Sequence, residues 1–441
     1  MRGIAEQHAD RAARLLAAGD RKGAAGAYRA AAAADPQSLF GRLAGARALI
    51  EDGRPVEQWL RRTLQLFPDS GAAAGMLGTA LAEAGSFDEA RTWFLHAVER
   101  DPAQFAYYYD LARSATGSDP AMAAAIDRAL LHPGLDSRRR VALHLAQGQL
   151  RDLAGDAEGA VRAWREAADI GNAATPYDRA LVERHVDLSI AAFTPALIEA
   201  AGKSAASTAL PLLVVGLPRS GTTLVEQMLS RYSRIAVGGE NDRLMRACRD
   251  TPMPPDRAAL ADLATQLRAG WLRELRSVAR PASRYVTDKL PQNYLWLGFV
   301  RALVPNARIV HCQRDPRDTA ISILATFFGR SAGFPAMPED IVFHVRQYQR
   351  LMAHWRSVTP PDRFHEVLYE TLVTDPEPSA RALAAFLELD WNPACLHPEA
   401  SKSVIRTASK YQARRPIGVA SVGRWHRYRA WLPELEPLAG A

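Results

Sequence analysis

The sequence predicts a chain in two parts: an α-helical solenoid of repeated helix pairs over residues 1–200, then a three-layer α/β domain with a parallel sheet over residues 201–441. Three observations carry this expectation. Small turn-forming triplets recur through the first third at a nearly constant interval. After residue 208, short apolar runs of strand length alternate with amphipathic helices. A length of 441 residues also exceeds what one ordinary core holds, so two cores are the default.

The first part rests on its period. Ala18-Gly19-Asp20, Asp52-Gly53-Arg54 and Ala84-Gly85-Ser86 set their glycines 34 and 32 residues apart, and Pro36, Pro68 and Pro102 fall 32 and 34 apart. With helical apolar spacing between the breaks, this interval resembles tetratricopeptide helix pairs. The clearest unit runs from Gly71 to Pro102. A small-residue helix carries Ala73, Leu77, Ala80 and Leu81, and Gly85 ends it in a left-handed turn. A second helix with Ala90, Trp93, Phe94 and Ala97 then stops at the proline. Degenerate units follow over Phe105–Leu131 and around Ala154-Gly155-Asp156, the latter carrying Ala160, Trp164 and Ala167 and running to Asn172.

One helix pair cannot bury its apolar face alone, so such units stack into a curved array with a concave surface. The residues favour a scaffold or homodimerisation surface over the alternative, capture of a peptide or partner protein. Tyr107, Tyr108 and Tyr109 face different ways on a helix, so at least one belongs in the core. A closing helix from Asp187 and a polar linker, Lys203 to Ser207, end this part.

The second part is read strand by strand: Pro211–Gly216, Ile235–Val237, Arg284–Thr287, Ala307–Cys312 and His365–Tyr369. The first strand runs into Leu217-Pro-Arg-Ser-Gly-Thr-Thr223 and a helix over Leu224–Ser230. Amides at such a helix N-terminus, with the macrodipole behind them, cradle a phosphate. Ser220, Thr222 and Thr223 add hydroxyls, and Gly221 lets the backbone approach an oxygen closely. A nucleoside-triphosphate loop needs Gly-Lys-Ser/Thr. Here Arg219 precedes the glycine and Thr222 follows it, so a phosphate is expected without a magnesium-held terminal phosphate.

The fourth strand ends in Arg314-Asp-Pro-Arg-Asp318. Pro316 breaks the chain, Asp318 is the expected N-cap of the next helix, and Ser322 lies about one turn inside it. An arginine at a strand end and a hydroxyl on the following helix converge on one phosphate at the crevice of an open α/β sheet. The plainer alternative is an ion-paired turn, Arg314 and Arg317 with Asp315 and Asp318.

Together, Pro218-Arg-Ser-Gly-Thr-Thr223 and Arg314-Asp-Pro-Arg-Asp318 with Ser322 resemble the 5′-phosphosulfate loop and the 3′-phosphate motif of the sulfotransferase family, over roughly residues 208–432. More narrowly, this half is similar to the tyrosylprotein sulfotransferases and to bacterial proteins that fuse tetratricopeptide repeats to such a domain. The resemblance implies a P-loop-like sulfotransferase domain that moves the sulfuryl group of PAPS (3′-phosphoadenosine-5′-phosphosulfate) to a hydroxyl, leaves PAP and needs no metal. It gives the 5′-phosphosulfate to Arg219, Ser220, Gly221, Thr222 and Thr223, and the 3′-phosphate to Arg314 and Ser322. It makes Glu240, in Val237-Gly-Gly-Glu-Asn-Asp242, the general base. Lys289, in Thr287-Asp-Lys-Leu-Pro291, steadies the leaving oxygen, helped by Arg219 and Ser409. Tyr369 lies against the nucleotide, and Ser409 and Arg424 belong to a C-terminal segment that closes over the cofactor.

Two positions depart from the tyrosylprotein pattern. Where that branch carries an arginine two residues after its base stands Asp242, with Arg243 one further on, and a later arginine of its 3′-phosphate helix is Thr326. The first departure speaks against acidic tyrosine peptides as acceptors.

The chemistry is coherent without the resemblance. Sulfuryl transfer is an in-line displacement that needs a deprotonated acceptor, a neutralised leaving phosphate and excluded water. A carboxylate in a partly buried turn gains the raised pKa of a base, while Lys289, Arg219 and loop amides supply positive potential. Two rivals remain: a repeat-based adaptor that binds PAPS or PAP without turnover, and a small-molecule or nucleoside kinase using the same loop. Glu240 and Lys289 together weigh against the first, and the missing loop lysine against the second. The acceptor stays open among a peptide tyrosine, a glycan hydroxyl and a small-molecule hydroxyl. His311 reads as a packing histidine, His344, His354 and His365 have no ligand spacing, and Trp425 and Trp431 read as packing for the tail.

Composition narrows the class further. A net charge of +7, from 55 basic and 48 acidic residues without long basic tracts, suits an anionic ligand and does not call for nucleic acid. Cys248, Cys312 and Cys395 form no CxxC pair, so neither a disulfide framework nor a zinc site is expected, as in a reducing cytoplasm. Met1–Asp20 has no apolar h-region and Ala209–Pro218 is only strand length, so neither a signal peptide nor a membrane span is expected and the expected location is the cytoplasm.

Overall fold

The computed structural model describes residues 2–18, 20–201, 210–328, 334–401, 405, 407 and 409–439. Gly19 and the linker 203–207 lie outside them. The chain divides into two compact units, Met1–Gly155 and Asp156–Ala441.

The first unit is helical: α1 (Arg2–Ala17), α2 (Arg21–Ala34), α3 (Leu39–Glu51), α4 (Glu57–Leu66), α5 (Gly71–Ala84), α6 (Phe87–Arg100), α7 (Phe105–Ser114), α8 (Pro120–Leu130) and α9 (Ser137–Leu153). Short polar side chains start several of them. Asp20 accepts from the Gly23 amide, Ser38 from Gly41, Ser70 from Ala73 and Asp136 from Arg139. Gly85 ends α5 at a φ of 97°, the left-handed conformation expected of it. The small residues of α5 admit rings from later helices. A Cβ on Gly75 would fall 2.0 Å from the Tyr107 ring, which stacks on Phe94 at 6.1 Å. Tyr108 and Tyr109 are buried, so the tyrosine run packs the unit.

The second unit opens with α10 (Ala157–Ala174), which the period groups with the repeats, then α11 (Arg179–Ala192) and α12 (Pro195–Ala201). Five strands follow among the described residues: β1 (Leu210–Gly216), β2 (Ile235–Ala236), β3 (Tyr285–Asp288), β4 (Arg308–Gln313) and β5 (Phe364–Leu368). Each falls where the sequence places a strand. All pair in parallel, in the order β2-β3-β1-β4-β5, with Val214 beside Val310 and Val310 beside His365. The helices between and after them are α13 (Thr222–Leu229), α14 (Arg243–Arg249), α15 (Arg257–Ala269), α16 (Trp271–Val278), α17 (Leu297–Leu303), α18 (Pro316–Leu324), α19 (Pro338–Val358), α20 (Tyr369–Thr374), α21 (Pro376–Phe386) and α22 (Lys410–Ala413).

The central strand is apolar at nearly every position because both of its faces are covered. On one face Leu212, Val214, Val310 and Cys312 pack on Val225 and Met228 of α13 and on Leu383 and Ala384 of α21. Alternate residues point the other way. There His311 meets the Tyr348 hydroxyl of α19.

Candidate active site

The expected site residues leave the C-terminal ends of the five strands in one row. In sheet order, Glu240 follows β2, Lys289 follows β3, the 217–223 loop follows β1, Arg314 follows β4 and Tyr369 follows β5. The neighbours of β1, β3 and β4, lie on its opposite sides, which opens a crevice where its loop emerges.

The loop is shaped to meet an anion. Arg219 sits at a φ of 74°, costly for a residue with a Cβ, and Gly221 at 101°. No side chain caps the N-terminus of α13. A Cβ on Gly221 would lie 2.8 Å from the Tyr369 ring, so that ring closes one side of the loop. Below it, the Tyr348 hydroxyl accepts the Leu217 amide and meets His311, whose other nitrogen is 3.0 Å from Glu366. His311 is therefore a buried prop, and burial lowers its pKa.

The second motif closes onto the first. Arg219 donates to Ser322 Oγ at 2.9 Å and to Ser409 Oγ. Arg314 donates to the Arg219 carbonyl at 3.0 Å and to the Ser421 carbonyl, and its guanidinium lies 4.8 Å over the Tyr369 ring. Thr223 meets Thr407 at 3.3 Å. The helix start differs from expectation. Asp315, not Asp318, caps α18 by accepting the Arg317 amide. The chain enters the helix at Pro316, and that leaves the Asp318 carboxylate inside the first turn. There it accepts the amides of Gly423 and Trp425, both at 2.7 Å, and so staples the C-terminal segment down. Arg317 pairs with Asp315 at 2.7 Å and covers the Trp425 ring at 4.0 Å. Arg424 points elsewhere in part, its Nη2 donating to the Tyr428 hydroxyl at 3.1 Å.

At the β2–β3 end, Lys289 Nζ donates to Glu240 Oε1 at 2.7 Å. The lysine is fully buried, whereas the Glu240 side chain is 37% exposed. Two further acids that the sequence did not single out lie at this end of the sheet, Asp288 and Glu226. Burial pushes Asp288 up to about 7, against hydrogen bonds from Trp271 and Asn293 at 2.6 and 3.0 Å. Burial likewise pushes Glu226 up, with Lys289 pulling it back. Only the helical position of Glu226, one turn after the loop, could have signalled it. Among the described residues no cluster of three or more His, Cys, Asp or Glu is placed to hold a metal ion.

An anionic phosphate group fits these residues. Ser220 Oγ and Arg314 Nε are buried donors with no protein partner, and they stand at the two motifs expected to bind it.

Residues 211–393 match the model of the Sulfotransferase family. The chain is 29% identical over 276 residues to an uncharacterised protein of Aquifex aeolicus (strain VF5), covering 59% of this chain and 36% of that one. It is 26% identical over 249 residues to protein-tyrosine sulfotransferase 1 of Danio rerio, covering 49% of this chain and 66% of the relative. The match thus spans about a third of the first relative and just under two thirds of the second. The sulfotransferase domain of the Synechococcus PCC 7002 olefin synthase aligns at a TM-score of 0.37 and 20% identity, over 51% of this chain and 90% of that one. No helix among the described residues is long and apolar enough to cross a membrane.

Proposed function

We propose that the second unit transfers the sulfuryl group of PAPS to a hydroxyl acceptor. What supports this most is the row of strand-end residues: a phosphate cradle after β1, Arg314 after β4, and a carboxylate paired with a buried ammonium after β2 and β3. PAPS supplies a sulfuryl group activated as a mixed anhydride with its 5′-phosphate. Arg219, Ser220, Thr222, Thr223 and the α13 amides hold the 5′ end, with Gly221 leaving room for it. Arg314 and Ser322 hold the 3′-phosphate, and Tyr369 packs beside the loop. Glu240 takes the acceptor's proton on a carboxylate oxygen. Lys289 Nζ and the Arg219 guanidinium set positive charge at the loop. Ser409, bonded to Arg219, and the segment through Arg424 cover the crevice and exclude water.

Peptide tyrosine enters as an acceptor through the likeness to protein-tyrosine sulfotransferases. Asp242 pairs with Arg246 beside Glu240 and disfavours strongly acidic peptides. The helical unit serves as a tetratricopeptide-like array for assembly or partner capture in the cytoplasm.

The test is calorimetric titration of PAP into the protein without magnesium, beside Arg314→Ala. Micromolar binding that the variant loses supports the cofactor site and justifies screening acceptors. Absence of binding by folded wild type overturns it.

A further inference from the structure

Glu226 is a buried acid on the phosphate-loop helix, and phosphate binding by the loop gives it no task. It stands four residues after Thr222 and is 3% exposed. Its carboxylate accepts the Thr287 hydroxyl at 2.7 Å and the Gly239 amide. Thr287 Oγ1 in turn accepts the Gly238 amide at 3.0 Å, and the Lys289 amide donates to the Gly239 carbonyl at 2.8 Å. Both amides that precede Glu240 are therefore spoken for. The turn has little slack against β3, since a Cβ on Gly238 would fall 2.1 Å from the Thr287 carbonyl oxygen.

We propose that Glu226 is a positioning residue that ties the phosphate-loop helix to the turn carrying Glu240 and holds the Lys289 ammonium between the two. This rests on Glu240 and Lys289 having the roles proposed above. The bonds to Thr287 and Gly239 fix the base-bearing turn relative to α13, whose N-terminus is the cradle. The charge has its own part. A buried acid is costly unless a partner offsets it. A glutamine would accept the same hydrogen bonds without that cost, so the acid is accounted for by the ammonium beside it. Lys289 pairs with the exposed Glu240 at 2.7 Å and also attracts the buried Glu226, so two acids share one lysine.

The experiment compares wild type, Glu226→Gln and Glu226→Met without an acceptor. PAP affinity is measured by calorimetry, amide exchange is followed on peptides spanning residues 236–242, and acylation of Lys289 by a soluble anhydride is read by peptide mass spectrometry. Glu226→Met should speed exchange of the turn by about tenfold, the equivalent of one lost hydrogen bond. Glu226→Gln should keep that protection within about threefold while Lys289 is acylated several-fold faster, a change that loss of packing alone would not give. Both variants should bind PAP within about threefold of wild type. Unchanged exchange in the methionine variant, or unchanged acylation in the glutamine variant, overturns the positioning role. If the methionine variant does not fold, acylation in the glutamine variant decides. Loss of PAP binding by Glu226→Gln alone would place Glu226 in the cradle and also overturn it. Failure of wild type to bind PAP would sink the cofactor reading and leave the exchange and acylation results standing.

Discussion

The two sides of the β1 exit carry opposite electrostatic arrangements on one strand edge. Towards β4 and β5, cations and hydroxyls outnumber acids. Arg219 and Arg314 bond to serine hydroxyls and carbonyls, and the nearest acid, Asp318, lies 3.8 Å from Arg314 while accepting two backbone amides. Towards β2 and β3 the balance reverses: Glu240 pairs with Lys289, the buried Glu226 interacts with the same lysine, and Asp288 is buried against Trp271 and Asn293. Surplus buried donors suit a bound anion, and a lysine shared by two acids suits holding and moving a proton. One sheet edge can therefore serve two tasks, provided the strand order keeps them on opposite sides of the central loop.

Two substitutions should break that comparison if it is wrong. Glu240→Gln, on the acid side, should lower sulfuryl transfer from PAPS about 10²- to 10⁴-fold while leaving PAP affinity unchanged. Arg314→Ala, on the cationic side, should weaken PAP about 10²-fold, as expected for removing charge-assisted hydrogen bonds. Calorimetry and a rate assay on the same preparations separate the effects. A Glu240→Gln protein that loses PAP, or an Arg314→Ala protein that keeps it, would show that the two sides are not functionally distinct.

The same division explains what could be read from the sequence. The cationic side is written in contiguous residues, Pro218 to Thr223 and Arg314 to Ser322, because a strand end, a turn and a helix start are local structures. The five strands were legible for the same reason, as short apolar runs closed by turn residues. Asp318 was misassigned because Asp315 and Asp318 are both good caps, and only the position of Pro316 decides between them. Asp288 was invisible, and Glu226 was marked only by its helical position one turn after the loop. Nothing local distinguishes an acid in a helix or strand from a solvated one, and their burial arises from packing between α13, β3 and the turn before Glu240. Arg424 was placed in the site by its motif, whereas its guanidinium also lies on the Tyr428 ring at 5.5 Å.

A smaller effect sharpens the cationic side. Gly221→Ala places a Cβ on a left-handed residue and against the Tyr369 ring. It should cost about 1–2 kcal/mol of stability and weaken PAP roughly tenfold, because the loop must shift to relieve the contact. Tyr369→Ala in the same background should recover part of the affinity. No recovery would mean that backbone strain, not the ring, sets the loss.

The smallest effect concerns protons on the acid side, and its sign follows from burial. Burial raises Asp288 to about 7 in the folded protein, well above the ordinary aspartate value of 3.8. The stability it contributes is present below the unfolded value and is lost as the pH rises through the folded one, because the folded state holds the proton longer. His344 behaves oppositely. Burial lowers it to about 4 between the Tyr177 and Tyr294 hydroxyls, so its contribution is present above about 6.5 and lost as the pH falls. Across pH 4–7 the two slopes offset each other in wild type. Asp288→Asn removes one of them, at some cost to the Trp271 and Asn293 bonds, so the variant should melt below wild type by a margin that widens by a few degrees on going from pH 7 to pH 4.5. Glu226, raised in the same direction as Asp288, keeps the compensation from vanishing entirely. A margin that stayed constant across that range would mean that Asp288 is ionised throughout it, and that the acid side holds one more negative charge than the buried geometry supports.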